Sequence, residues 1–415
     1  MRVPDGFLQF AFLRNLSNAK DRIAFIQERI TTQNKVNKPS DSPLANSRIM
    51  RLKNQIRNNE SFANNIENSI SMLDSSIVAM EGIQTETQKV LVEFTKLTNA
   101  TVDEDLDVFA SNIDAALNTI IDLANSEYNN MYNFGGTNHS TKPFSLSADG
   151  KSVEFNGDIG GVQKIRLSNN VFQKVNITGK ELFLPVLEQS GNLSSNAAIG
   201  SVQQSSEKIY DADGNEYTIT LSYTKTADNT YDLSYEIVDS DSNVIDSQTV
   251  NDLVFDSSSG ELVSVNGDDP SDIMIQLDDP EINLVIDFDK MMETSDDTAI
   301  VNSLSQKADI FNTLLSIKEK LRNGERPNKM QTQIVEEFNS HVLDKLSEAG
   351  NITNRLNDTL DLLQNQKFEL LKLLSVENDV DMAQELIDLE SAQFSLDSSY
   401  KISSMILPKS LLDYL

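Results

Sequence analysis

Apolar residues recur at alternating steps of three and four at both ends of this chain, and that spacing restricts the folds open to it. From Leu16 the series runs through Ala19, Ile23, Ile26 and Ile30. A second begins at Ile49 and continues through Leu52, Ile56, Asn59, Ala63, Ile66, Ile70, Leu73, Ile77 and Met80, then weakens at Gln84 and Thr87 before Leu91 and Phe94. It predicts a helix of about 50 residues, roughly 75 Å long at ~1.5 Å per residue. A shorter series, Leu106, Phe109, Ile113, Ala116, Ile120 and Leu123, predicts a helix that returns antiparallel. Towards the other end Val335, Val342, Ala349, Leu356, Leu363 and Leu370 recur every seven residues, interleaved with Leu346, Leu360 and Leu374. A last helix carries Leu386, Leu389, Leu396, Tyr400 and Leu407, and the chain closes on Leu415. A period of 3.5 makes the narrow seam of a coiled coil, although an ordinary helical bundle would use the same residues.

One stretch interrupts the pattern: VNKPSDSPLANS, residues 36 to 47. Gln33 and Asn37 carry the first seam into polar residues, and Pro39 pushes Lys38 towards an extended conformation. Ser42 suits an N-cap, with Pro43 at the first helical position, where its missing N–H costs little. Pro39, Ser42 and Pro43 therefore read as a hinge between two helical arms. An amphipathic helix on its own leaves its seam in water, so the terminal helices need each other or neighbouring subunits.

Between the helical zones the pattern changes period. VQKIRLS, EYTITLSYT, TYDLSYEIV and INLVIDF alternate apolar and polar residues, separated by turn signals such as ADGN and DSDSN. This predicts an antiparallel β region, a small sandwich or barrel. Residues 188 to 299 hold 25 Asp and Glu against 3 Lys and Arg, which is −22 of the total −30. Such a field repels nucleic acid and anionic membranes. No run approaches the ~18 apolar residues of a membrane span, and the opening MRVPDGFLQFAFLRNLSNAK lacks the features of a cleaved secretory signal. No partner role with nucleic acid and no membrane insertion is expected.

The inventory for chemistry is thin. There is no cysteine and no tryptophan, and His139 and His341 are the two histidines. DADGNEYTIT (211–220) alternates Asp211, Asp213 and Asn215 as a calcium loop would, but Glu216 and Ser222 stand where an EF-hand needs Gly and the closing Glu. It reads as a hairpin turn. FGGTN and GDIGG lack the lysine and the strand–loop–helix setting of a phosphate cradle. Tyr132, Phe134, Phe144 and Phe155 are expected to pack a helix–sheet junction. No catalytic, metal or cofactor site is predicted, and an enzyme is not expected.

Several segments carry a resemblance. RITTQNKVNKPSDSPLANSRIMRLKNQI resembles the N-terminal helical hairpin of the flagellin family, where a Pro-Ser-Asp-x-Pro break joins two coiled-coil helices. YNNMYNFGGTNHSTKPF (128–144) and the closing Leu-Leu-Asp-Tyr-Leu are similar to hook-associated members of that family. The insert 186–297 carries no such resemblance. The implied fold is α+β and multidomain: a long coiled-coil-like bundle formed by both chain termini, with a central antiparallel β insert. The expected layout is an N-terminal assembly helix (1–40), the first half of the bundle (41–135), a β-hairpin region (136–185), an acidic β domain (186–297), the second half of the bundle (298–375) and a C-terminal assembly helix (376–415). The resemblance implies a structural axial protein of the bacterial flagellum, exported unfolded through the flagellar type III apparatus and joining hook to filament. Its implied partners are further copies in a ring, hook-associated protein 1, flagellin and a cytoplasmic export chaperone on the C-terminal region. The assembly seams would be Leu16, Ile23, Ile26 and Ile30 at one end, and Leu386, Leu389, Leu396, Tyr400, Leu407 and Leu415 at the other. A flagellin-like filament subunit and, from another class, a glycan-binding surface adhesin are the alternatives.

Overall fold

A computed structural model describes residues 5–99, 106–138, 140–148, 150–168, 170–267 and 272–406. The chain begins with α1 (Asp5–Thr32), α2 (Pro43–Asn99) and α3 (Leu106–Ala124). Short ladders follow: β1 (Glu127–Tyr128) with β2 (Met131–Tyr132), β3 (Phe144–Leu146) with β4 (Val153–Phe155), and β5 (Lys164–Ser168) with β6 (Val171–Lys174). After α4 (Gly179–Phe183) come β7 (Val186–Ser194), β8 (Val202–Tyr210), β9 (Glu216–Ala227), β10 (Thr230–Val238), β11 (Val244–Phe255), β12 (Leu262–Val265), β13 (Ile273–Asp278), β14 (Glu281–Thr294) and β15 (Ala299–Leu304). The chain ends its described course with α5 (Ile310–Arg322), α6 (Lys329–Asn378) and α7 (Met382–Ile406). Two compact units result, a terminal one of residues 1–65 with 358–415 and a central one of residues 66–357.

In the central unit the heptads are core. Ile66, Leu73 and Met80 on α2 are fully buried, as are Val335, Val342, Ala349 and Leu356 on α6. α3 and α5 complete the helical body with Ile113, Ile120, Phe311 and Leu314. Thr87, where the sequence seam weakens, stays buried because its hydroxyl donates to the Ile83 carbonyl at 2.8 Å. The helical pattern ends at Ala124, not at 135, and residues 299–304 belong to a sheet before helix resumes at Ile310.

Of the aromatics expected to pack the junction, Phe134, Phe144 and Phe155 meet where the short ladders join the helices. Phe144 and Phe183 lie 4.9 Å apart, Phe183 stacks on Phe311 at 4.9 Å, and Phe134 meets Phe183 edge-on at 5.7 Å. Gly179 permits this approach, since a Cβ there would stand 2.6 Å from the Phe134 carbonyl oxygen and 2.8 Å from the Phe144 ring. Thr178 caps α4 in a reciprocal box with Glu181. The His341 Nε2 lies 2.7 Å from the Glu181 carbonyl oxygen, and burial lowers the imidazole pKa below its ordinary value.

The acidic region is a two-sheet sandwich. One sheet has the order β12-β11-β10-β9-β8 and the other β13-β14-β7-β15. Inward side chains face one another in register, with Tyr223 opposite Leu233, Leu221 opposite Tyr235 and Ile219 opposite Ile237. They pack on Leu187, Leu284, Ile286 and Phe288 of the second sheet. The ladders are antiparallel except one, because β7 and β14 run parallel. The whole five-stranded sheet lies between them in sequence, supplying the long crossover that parallel strands require.

Among the charged groups buried in the central unit are Lys225, Glu293 and Asp309. Lys225 and Glu293, each 2% exposed, approach to 3.4 Å; the ammonium also donates to the Ser195 carbonyl at 2.6 Å, and the Tyr231 hydroxyl donates to Glu293 at 3.0 Å. Asp309 caps α5, its carboxylate accepting from the Phe311 amide at 2.8 Å and from Asn312 and Asn283 at 2.7 and 2.9 Å. Burial nevertheless pushes its pKa up to about 6.

Candidate assembly interface

The terminal unit pairs the first and last described helices. α1 runs against α7, while the first turns of α2 meet the last turns of α6. Asn59, a polar residue in the α2 seam, donates to the Leu363 carbonyl at 3.4 Å, and Glu60 pairs with Lys367 at 2.9 Å. A polar residue at such a position serves register more than stability.

The helix breaks pair with each other. Gln33 ends α1 with φ +60°, and Asn34 forms an antiparallel bridge with Asp379. The Lys35 amide donates to the Asn378 carbonyl at 2.6 Å, and the Val380 amide donates to that of Gln33 at 3.1 Å. Pro39 sits in a tight turn closed by the Asp41 amide on the Lys38 carbonyl at 3.0 Å, as proline at the second turn position favours. The Asp41 carboxylate accepts from the Asn37 and Lys38 amides at 3.0 and 2.8 Å. Ser42 accepts from the Ala45 amide at 3.4 Å, and Pro43 opens α2.

Within α1, Ile26 is buried, while Leu16, Ile23 and Ile30 are half-buried. Across from it Leu389 and Leu396 are half-buried, but Leu386 is 53% exposed and Tyr400 43%. Leu407 and Leu415 lie outside the described residues, as does His139. What α7 buries instead is Glu385 and Ala392, seven residues apart. The Arg29 guanidinium pairs with the Glu385 carboxylate at 2.5 Å and lies over the Phe25 ring. Sequence reading ranked apolar size and so passed over Glu385. The available signal was the heptad step from Glu385 to Ala392, with Arg29 as a counter-charge on the partner helix.

This unit is short of core. Among its described residues five apolar ones are buried: Ile26, Ile49, Ile56, Leu363 and Ala392. Sixteen large described ones are exposed, among them Phe10 at 77%, Phe394 at 75%, Phe368, Val376 and Ile387.

The candidate calcium loop is spent on its own turn. The Asp211 carboxylate accepts from the Asn215 amide and side chain, both at 2.8 Å, and from the Tyr217 hydroxyl at 3.1 Å. Asp213 binds Ser316 at 2.5 Å and Lys320 at 3.0 Å, so the hairpin is tied to α5. Asp239 is occupied in the same way by Asn243 at 2.8 and 2.9 Å, and these bonds hold its carboxyl below the usual range. No group of three or more metal-type ligands occurs among the described residues. No described helix is long and apolar enough to cross a membrane.

Residues 7–139 match the bacterial flagellin N-terminal helical region, and residues 187–345 match the flagellar basal body protein FlaE D2 domain. Two regions of the chain are therefore similar to flagellar structural proteins, the first of them to a flagellin-type helical end. The second match supplies a resemblance for the insert, where short alternating strands alone had shown none. In particular, the chain is similar to solved structures of flagellar junction and hook-associated proteins. FlgL of Xanthomonas campestris is 17% identical, with 79% of this chain and 99% of that one covered at a TM-score of 0.45. The flagellar junction protein FlgL of Legionella pneumophila is also 17% identical, over 81% and 100%, at 0.44. A flagellar hook-associated protein 3 of the same organism is 15% identical, over 80% and 98%, at 0.40. No curated protein matches the sequence.

Proposed function

We propose that this chain is a structural subunit of the hook–filament junction, polymerising through its paired terminal helices. One observation carries the reading: among its described residues, the unit that pairs the first and last helices exposes sixteen large apolar side chains and buries five. A surface of that kind is completed by neighbours in a tube, with α1 and α7 at the wall. The junction, more than the filament, is favoured by the segment 128–144 and the Asp-Tyr-Leu end, which are similar to those of flagellar hook-associated protein 3. The seam residues Leu16, Ile23, Ile26, Ile30, Leu386, Leu389, Leu396, Tyr400, Leu407 and Leu415 would then divide between partner helices of the same chain and those of adjacent copies. Leu386 and Tyr400, exposed in the single chain, fall to the second group.

On this reading the copies form a ring with hook-associated protein 1 below and flagellin above. Export is through the flagellar type III apparatus without a cleaved signal, with a chaperone on the C-terminal region beforehand. The hinge at Pro39, Ser42 and Pro43 sets the angle between α1 and α2. The role is mechanical and requires no catalysis. Immunogold labelling of intact cells tests it: a single spot between hook and filament is expected. Label along the whole filament would make the chain a filament subunit, and label confined to other structures would overturn the assignment.

A further inference from the structure

The strongly acidic chain presents a surface of opposite character on the β5–β6 hairpin. Residues 136–185 hold six Lys and Arg against four Asp and Glu. Arg166 stands opposite Phe172 in the ladder, and Lys164 opposite Lys174. Residues paired in this way, and alternate residues along one strand, share a face. Lys164, Arg166 and Phe172 are exposed together, Phe172 by 61%, with the exposed Val171 beside it. The Arg166 Nε donates to the Ser168 carbonyl at 3.0 Å, which holds the guanidinium over the hairpin. Lys174 turns inward to Glu181 at 2.5 Å and anchors the hairpin to the body. An exposed aromatic ring beside two cations suits an anionic protein surface.

That complement is present on the chain itself. Residues 201–265, which form the five-stranded sheet, hold thirteen Asp and Glu against two lysines, and Lys225 is buried in its pair with Glu293. On the outward face of that sheet Thr224 stands between Val202 and Asp232, and Thr220 between Ser206 and Glu236. The face therefore offers two carboxylates, a hydroxyl floor and an exposed valine at its edge. A patch that fits a different surface of the same molecule makes a head-to-tail contact, the kind that closes into rings or runs into helical tubes.

We propose that the Lys164–Arg166–Phe172 face docks on the outer face of the five-stranded sheet of a second copy. The contact rests on the ring reading above and gives that ring a lateral bond outside the terminal helices. Benzoylphenylalanine placed at position 172 of the full chain, irradiated in assembled flagella, tests it. The expected product is a dimer of this chain with the cross-link mapped to residues 201–265. Lys164→Glu with Arg166→Glu should abolish that product without moving the thermal melt, and adding Asp232→Lys with Glu236→Lys should restore it. A cross-link to another region, to another flagellar protein, or within one chain overturns the contact. If immunogold still shows a junction spot, such a result removes this contact alone and leaves the junction reading standing.

Discussion

Val335, Val342, Ala349 and Leu356 follow one another at seven-residue spacing on α6 and all are fully buried. Leu386, Phe394 and Tyr400 on α7 leave much of their surface in water. The central unit satisfies its apolar pattern internally, with α3, α5 and the aromatic junction closing over the α2 and α6 seams. The terminal unit has two hairpins and little else to cover them. The same heptad rule thus builds a finished core in one place and a half-finished one in the other. Burial stabilises by about 25 cal/mol per Å² of apolar area, so the exposed apolar side chains of the terminal unit contribute little of that within the single chain.

The comparison is broken or sharpened first at the aromatic junction. Phe183→Ala should cost about 3–5 kcal/mol, the usual loss for a buried aromatic, seen as a large fall in the global melting temperature. A small shift would mean that the central unit is not the stable one. Next is the buried ion pair: Lys225→Met leaves Glu293 in the sandwich without its cation and should cost about 3 kcal/mol, whereas Lys225→Met with Glu293→Leu should recover most of that. Equal losses in the single and double variants would show that packing, not charge, is at stake.

In the terminal unit the corresponding change should be local. Arg29→Ala leaves the buried Glu385 carboxylate unpaired, worth about 1–3 kcal/mol. Hydrogen exchange should accelerate about tenfold or more in α1 and α7, with the global melt scarcely moved. A global loss would instead make the two units one cooperative body.

A pH effect is expected in the central unit. Glu281, on β14 where the sandwich meets α5, is pushed up to about 8 by burial and then by Asp309, Asp278, Asp213 and Glu319. Lys320 faces the same cluster through Asp213. An acid whose folded pKa is raised binds its proton more tightly in the folded state, so its contribution is present below the unfolded value of 4.5 and is lost as pH rises towards 8. Glu281→Gln should therefore raise the melting temperature at pH 8 and change it little at pH 4.5. An equal effect at both would remove the electrostatic account. The smallest effect is at the hinge, where Ser42→Ala removes a long N-cap contact and should cost about 1 kcal/mol or less, read as faster exchange over the first turn of α2.

Most helices were legible because burial selects a 3.5-residue period wherever one face is covered, as with Ile66, Leu73 and Met80. The hinge was legible because proline and the Ser42 cap act through local backbone geometry. The strands of the sandwich were legible from alternation, but the parallel pairing of β7 with β14 was not, since they meet across some ninety residues of intervening chain. The terminal-helix face was read only in part. Leu389 and Leu396 turn towards the partner helix, yet Glu385 and Ala392 occupy its centre.

The sequence by itself determined the period of each segment, the helix break at residues 36–47 and the concentration of charge in the insert. These follow from side-chain chemistry and local backbone preference, which need no distant partner. Only the tertiary structure decided which heptads are finished inside the chain and which are left open, and that Lys225 and Glu293 would meet. Those outcomes depend on what another element brings to the same place, and a linear pattern carries no record of that.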